Sequence, residues 1–175
     1  IEISGDFNTP FTAGTGTVSF VDPSGNSTLY GSNSFNNLDI TVPNKTVLFQ
    51  NGFTQTVASF TATGTENNEV NLHSVSDGAQ WTITPTTAAV TYAHIRDSIV
   101  SSATNAVNST DDGNNHANWN FNPAGVLDHF AVAAVSDPQN TGQPFSIGIT
   151  AEDSSNATVV GFTGTVTIND SSGSI

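Results

Sequence analysis

The stretch from Asn108 to Gly113 has the residue types of a calcium-binding loop. Side-chain oxygens recur at alternate positions before the glycine, at Asn108, Thr110 and Asp112, and Ca²⁺ prefers such hard oxygen ligands. Trp119 stands where a helix–loop–helix calcium loop needs a glutamate. An Asn- and Asp-rich turn that bonds to its own backbone accounts for the same residues. The turn is the preferred interpretation, calcium at Asn108, Thr110 and Asp112 is the alternative, and no other cofactor is expected.

Three carboxylates could in principle hydrolyse glycosidic bonds. Asp97, Asp111 and Asp112 lie close enough in sequence to form such a cluster. Anionic glycans need basic residues in their groove, however, and Arg96 is the one nearby. No nucleophile elbow accompanies the many Ser and Asp residues. We therefore predict that the chain is not an enzyme and has no catalytic residue.

The histidines show no pair at the spacing of a metal site. His94 follows Val90 and Tyr92 at alternate positions, which predicts a hydrogen-bonded core or corner residue on their strand face rather than a ligand. The four histidines are His73, His94, His116 and His129.

Charge and composition narrow the classes of partner. Two cations, Lys45 and Arg96, face fifteen carboxylates, for a net charge of -13. Nucleic acid needs clustered Lys and Arg and is excluded, and no apolar run approaches the roughly 20 residues that cross a bilayer. Without cysteine there is no disulfide or thiolate site. Lys45 stands in a Pro-Asn-Lys turn, which predicts an exposed amine rather than the buried amine of an intramolecular isopeptide bond.

Short alternating strands must position all of these side chains. Apolar residues recur in two columns at a period of about 20 to 23 residues, which is typical of a solenoid. The first column is Val18 and Phe20; Leu38, Ile40 and Val42; Ala58, Phe60 and Ala62; Trp81 and Ile83. The second column is Leu29; Val47 and Phe49; Val70 and Leu72; Val90 and Tyr92. We expect Phe20, Ile40, Phe60 and Ile83 to stack in one core.

The outward positions of the first column would form a ladder of hydroxyls. Thr is a favoured exposed strand residue, so an ordinary surface explains the pattern. Binding of glycans or of ice is the alternative. The ladder comprises Thr17, Ser19, Asp39, Thr41, Ser59, Thr61, Thr82 and Thr84.

Residues 90–98, with the sequence VTYAHIRDS, are followed by NSTDDGNN at 108–115 and by Asn-Trp at 118–119. Together these runs resemble the final coils of parallel β-helix repeat regions in large bacterial surface and secreted proteins. The resemblance implies right-handed coils and a stalk or surface module. The chain begins at Ile1 without a leader, and we expect a processed product or an excerpt of a longer protein.

The C-terminal part has longer strand patterns around Phe130, Phe145 and Phe162, with a turn at Asp137-Pro138. The runs LDHF, GQPFSIGITA and FTGTVTI resemble the first half of a bacterial immunoglobulin-like domain of the invasin or adhesin type. Such a sandwich needs about seven strands over roughly 100 residues. We therefore expect this part to be cut short or completed by a strand donated from another chain.

These patterns predict an all-β chain: a right-handed parallel β-helix at 1–122, a linker at 123–125 and an incomplete Ig-like domain at 126–175. An antiparallel β-sandwich throughout is the alternative. We expect a non-enzymatic, extracellular or cell-surface module, such as a stalk, filament subunit or adhesin fragment. It would self-associate through strand edges or coil ends, or contact neighbouring domains or surface glycans. A glycan-binding, glycan-cleaving or ice-binding protein is the alternative function.

Overall fold

The computed structural model describes residues 1–8, 11–12, 14–123, 125–135, 140, 142–160 and 162–168. The chain divides into two units, Ile1–Pro123 and Ala124–Ile175, which are described separately. The described residues form strands, turns and irregular segments. No helix that is long and apolar enough to cross a membrane is found in this part of the chain.

The first unit, Ile1–Pro123, contains two parallel sheets. Each ladder between its strands in the described ranges is parallel, so the antiparallel alternative is wrong for this unit. The strands are β1 (Glu2–Ile3), β2 (Thr17–Phe20), β3 (Asn26–Leu29), β4 (Asn33–Ile40), β5 (Thr46–Phe49), β6 (Thr54–Thr63), β7 (Val70–Ser74), β8 (Trp81–Thr91), β9 (Ala93–Ile95), β10 (Ser98–Val100), β11 (Thr104–Val107), β12 (Thr110–Asp111) and β13 (Trp119–Phe121).

The chain crosses between the two sheets along most of the unit. The first sheet has the order β1-β2-β4-β6-β8-β11-β13, with β10 also paired to β8, and the second has the order β3-β5-β7-β9-β12. We call one passage from the first sheet through the second and back a circuit. Each new strand thus lies beside the strand that the previous circuit placed in the same sheet, which brings residues one circuit apart into contact.

The predicted core column is correct in its sheet and in the burial of its residues, and wrong in its register. Phe20, Ile40, Phe60 and Ile83 are all buried in the first sheet. Phe60 pairs with Leu38, however, and Ile40 pairs with Ala62. Ile83 pairs with Gln55 in the first part of β6, whereas Phe60 lies in the second part. The turns between strands differ in length, so equal spacing in sequence does not place residues in the same row.

The second column is also correct only in part. Leu29 pairs with Phe49, and Val47 with Leu72, in the second sheet. Val90 belongs instead to the first sheet, where it pairs with Ala62. Tyr92 has a φ of 49°, a left-handed conformation that ends β8 and redirects the chain into β9. Circuits also shorten toward the end, because Val90 pairs with Ala106 only 16 residues later.

The long strands of the first sheet bend in the middle. In β4 the alternation of buried and outward residues is interrupted at Asn36 and Asn37, and in β6 at Ala58 and Ser59. A strand that skips one step of its two-residue period turns its next part onto a different face. The eleven-residue β8 accordingly pairs with β10 through its first residues and with β11 through its last.

The core of the unit contains both aromatic stacking and buried amides. Phe49 and Trp81 stack with ring centroids 3.8 Å apart. Asn33 Nδ2 donates to Gln55 Oε1 at 2.9 Å, and Gln55 Nε2 donates to the Gly31 carbonyl at 2.8 Å. These two side chains are buried, and their hydrogen bonds satisfy polar groups that would otherwise destabilise the interior.

Among its described residues, the second unit, Ala124–Ile175, has one short antiparallel pair of strands and an isolated antiparallel bridge between Glu152 and Thr158. Strand β14 (His129–Val132) pairs with β15 (Ile149–Glu152). The predicted third strand around Phe162 is wrong, because residues 162–168 are irregular. Side chains of the predicted strands, including Phe145 and Ile147, are exposed. The predicted turn at Asp137-Pro138 lies outside the described residues.

Candidate functional site

Two histidines and an aspartate form a polar cluster on the outer face of the second sheet. His73 on β7 and His94 on β9 both contact the carboxylate of Asp112, which follows β12 directly. His73 Nε2 lies 3.1 Å from Asp112 Oδ2, and His94 Nδ1 lies 3.1 Å from Asp112 Oδ1. Three successive circuits therefore contribute one side chain each, and we call these residues the histidine–aspartate cluster.

Strand alternation directs these side chains outward. His73 lies between buried Leu72 and Ser74, and His94 between buried Ala93 and Ile95. The prediction that His94 shares the inner face of Val90 is therefore wrong, because the turn at Tyr92 separates the two residues into different sheets. The predicted hydrogen bonding of His94 is present, although it belongs to the surface.

Electrostatics keep His73 neutral over a wider pH range than an ordinary histidine. Burial, followed by the Arg96 guanidinium, lowers the pKa of His73, and the hydrogen bond to Asp112 offsets part of this effect. A neutral imidazole has one N–H to donate. Asp112 can accept one such bond on each oxygen, so the cluster is satisfied with both histidines uncharged.

The predicted calcium ligands lie in different parts of the turn. Asp112 directs its two oxygens to the histidines, and Thr110 pairs with His94 in β12. Asn108 has a φ of 49°, typical of an Asn in a turn. Within the described ranges, no group of three or more His, Cys, Asp or Glu side chains is arranged to hold a metal ion. Calcium binding by these residues stays a prediction.

The predicted carboxylate cluster is occupied by structural hydrogen bonds. Asp97 is buried, and it accepts hydrogen bonds from Asn114 Nδ2 at 2.7 Å and from the Gly78 amide at 3.1 Å. Asp111 Oδ1 accepts from Asn115 Nδ2 at 2.7 Å and from the amide of Gly113 at 2.9 Å. These carboxylates stabilise turns between circuits, so their geometry does not favour glycoside hydrolysis.

The basic residue beside them has the same role. Arg96 donates to Asp77 Oδ1 at 2.6 Å, and its Nε lies 3.6 Å from Asp97 Oδ2. The guanidinium thus connects neighbouring turns.

The predicted hydroxyl ladder divides into two. Ser19, Asp39 and Thr61 form one row across β2, β4 and β6. Thr82 and Thr84 pair instead with Thr54 and Thr56, on the part of the first sheet that precedes the bend. Thr41 lies beyond the end of β4. No single ladder of eight residues is formed.

Lys45 is buried, so the prediction of an exposed amine is wrong. It precedes β5 and has the same inward parity as Val47 and Phe49. Its exposed fraction is 0%, and Nζ donates to the Gly25 carbonyl at 3.4 Å. Burial lowers the pKa of Lys45, and Asp22 and Asp6 oppose this effect. No ion pair among the described residues includes Lys45, and we find no partner there for an isopeptide bond.

The sequence contains a signal for the histidine–aspartate cluster that spacing rules for local metal motifs do not detect. His73 and His94 are 21 residues apart, which is one period of the predicted solenoid. Residues one period apart become neighbours across parallel strands. Comparison of the chain with protein-family models, with curated proteins and with solved structures found no match, so a functional assignment depends on the chain's own geometry.

Proposed function

We propose that Ile1–Pro123 is a right-handed parallel β-helix and that the chain serves as a non-enzymatic structural or adhesive module outside the cell or on its surface. The bends in β4 and β6, and the pairing of β8 with β10 through one end and with β11 through the other, divide these circuits into three faces. Such a solenoid would act as a rigid spacer, because each circuit is held by backbone hydrogen bonds to the next.

One observation carries the proposal: successive strands of both sheets pair in parallel with a constant direction of advance. In the first sheet Val18 pairs with Leu38, Leu38 with Phe60 and Phe60 with Ala88. Parallel neighbours need a long return connection, and here the return passes through the second sheet. A chain that advances in this way by about 4.8 Å per circuit winds into a solenoid.

The candidate sites support a structural role. The carboxylates Asp97, Asp111 and Asp112 satisfy amides or histidines, and Arg96 connects turns. Side chains that bind their own protein in this way stabilise the stack of circuits. The acidic surface, with a net charge of -13, favours solubility outside the cell.

Pulling the full chain from its two termini in a single-molecule force experiment tests the architecture. We expect the first unit to lengthen in steps of about one circuit, or roughly 70 Å for about 20 residues at 3.3–3.6 Å each. A single rupture that releases the whole unit without intermediate steps would contradict the stacked-circuit proposal.

Location and activity need separate tests. Antibodies against the chain should label intact cells of the source organism, and labelling only after permeabilisation would overturn the surface assignment. Incubation with anionic and neutral polysaccharides should release no reducing ends. Measurable release would favour the glycan-cleaving alternative, whatever the mechanical result.

The partner that we propose for this module is a second copy of the same chain. Two copies of a chain with a charge of -13 repel each other, and salt screens this repulsion. Sedimentation velocity should therefore show association that strengthens as sodium chloride is added. A monomer at all salt and protein concentrations would argue against self-assembly and leave neighbouring domains or glycans as partners.

A further inference from the structure

His129 lies between two carboxylates in the strand pair of the second unit. Its Nδ1 is 2.9 Å from Asp128 Oδ2, and its Nε2 is 3.3 Å from Glu152 Oε2. His129 and Glu152 are directly opposite each other in the ladder of β14 and β15. One imidazole therefore contacts an acidic residue on each of the two strands or their immediate flank.

The ratio of imidazoles to carboxylates is the reverse of that in the histidine–aspartate cluster, because here one imidazole faces two carboxylates. A neutral imidazole has one N–H and can donate to only one of the two carboxylates. The imidazolium has two N–H groups and can donate to both. The contacts at both ring nitrogens are thus complete only when His129 is protonated.

The surrounding charges favour that protonated form. The hydrogen bond to Asp128 raises the pKa of His129, the charges of Asp128 and Glu152 add to this effect, and partial burial opposes it. Asp153 is the other nearby carboxylate of β15 and its flank. Its oxygens accept hydrogen bonds from Ser155, Ala157 and Gly125, so it does not compete for the imidazole.

We propose that His129 is a proton-dependent clamp on the β14–β15 pair. In the protonated form the imidazolium joins the two strands through Glu152 and holds Asp128 beside the start of β14. Loss of the proton leaves one carboxylate without a donor and two negative charges beside each other. The pair then opens more often, because a two-stranded sheet is marginal by itself.

The direction of the pH dependence follows from the raised pKa of His129. The clamp stabilises the pair fully below the ordinary histidine value of about 6.5. Its contribution is lost as the pH rises through the higher value that His129 has in the folded protein. The second unit therefore loses stability as the pH rises past the ordinary histidine range, whereas the pKa of His73 in the first unit is lowered.

Nuclear magnetic resonance of the full chain tests both parts of the proposal. We expect the His129 imidazole to titrate above about 6.5, with a downward shift in Asp128→Asn and a smaller one in Glu152→Gln. The hydrogen exchange of the β14 and β15 amides is compared with that of His129→Gln at the same pH. Relative to this variant, exchange in the wild-type protein should accelerate roughly two- to fivefold as the pH rises through the titration of His129, as expected for the loss of one exposed ion pair.

The matched control is His94→Gln in the first unit, which should leave the exchange of β14 and β15 unchanged. Titration of His129 at or below 6.5, unaffected by Asp128→Asn and Glu152→Gln, would overturn the proposal. The clamp would also be overturned if His129 titrated above about 6.5 while the hydrogen exchange of the β14 and β15 amides did not change with its protonation. The proton would then have no structural effect.

Discussion

Lys45 is the residue whose environment departs most from expectation. A buried ammonium group loses its hydration, and a single carbonyl contact at 3.4 Å replaces little of it. The lowered pKa of Lys45 has the same cause, because burial disfavours the charged form of the amine. The chain therefore keeps this lysine at some expense of stability.

We expect Lys45→Met to increase the free energy of unfolding by about 1–3 kcal/mol at neutral pH, since Met fills a similar volume without charge. Because the pKa of Lys45 is lowered in the folded state, wild-type stability rises as the pH approaches 10.4, and the difference between the two proteins shrinks. Urea denaturation at several pH values measures both effects. The matched control is Arg96→Met, which removes the same charge together with its contacts to Asp77 and to the buried Asp97, and should not stabilise.

The lowered pKa of His73 predicts that the protein loses stability in acid. Burial and Arg96 lower the pKa of His73, so below about pH 6.5 the unfolded chain binds the proton that the folded protein resists. We expect His73→Gln, which keeps an N–H for Asp112, to cost less than about 1 kcal/mol at neutral pH and to flatten the fall in stability toward pH 5. Exposed His116→Gln is the control for urea titrations, and an equally steep acid loss in His73→Gln would contradict this account.

At the scale of elements, the corners between strands limit what the chain tolerates. Gly64 follows β6 in a buried corner where three backbone segments meet. A Cβ atom added there would lie 2.5 Å from the Tyr92 carbonyl and 2.7 Å from Glu69 Cα and Val70 N. These neighbours are main-chain atoms of the second sheet and its approach, so they cannot move aside as a side chain would.

Gly64→Ala should therefore destabilise the protein by about 1–3 kcal/mol or more through overpacking. Gly16→Ala is the matched control, because its added Cβ meets open space and should change stability by less than about 0.5 kcal/mol. Thermal unfolding followed by circular dichroism compares the two. Equal melting temperatures for the two variants would show that the corner can relax.

At the scale of the whole molecule, the buried apolar cluster of the described residues lies in the first unit, from Ile3 to Trp119. In the second unit, several large apolar side chains of the described residues are exposed, among them Val132, Phe145 and Ile147. A core of this size is what allows a unit to fold by itself. The two units are therefore expected to differ widely in intrinsic stability.

We expect a fragment that ends at Pro123 to fold cooperatively without the rest of the chain. Trp81 and Trp119 are both buried in this unit, so the folded fragment should have the short-wavelength fluorescence of buried tryptophan and lose it in one urea transition. Emission typical of exposed tryptophan in the absence of urea would contradict this expectation.

Strand identity and inward face could be predicted from the sequence because they depend on neighbours within one strand. The alternation of Val47 and Phe49 or of Val70 and Leu72 reports directly which side is buried. Register could not be predicted, because it depends on how many residues each turn uses. Phe60 therefore pairs with Leu38 rather than with the expected Ile40.

Composition and a two-residue period are local properties, so the sequence was sufficient to predict an all-β chain, its acidic charge and most of its buried positions. The folded structure was needed to show that His73 and His94 share Asp112, that Lys45 is buried and that His129 lies between two carboxylates. Each of these depends on which strands become neighbours. That choice is made by turn length and packing across circuits, and no short stretch of sequence contains it.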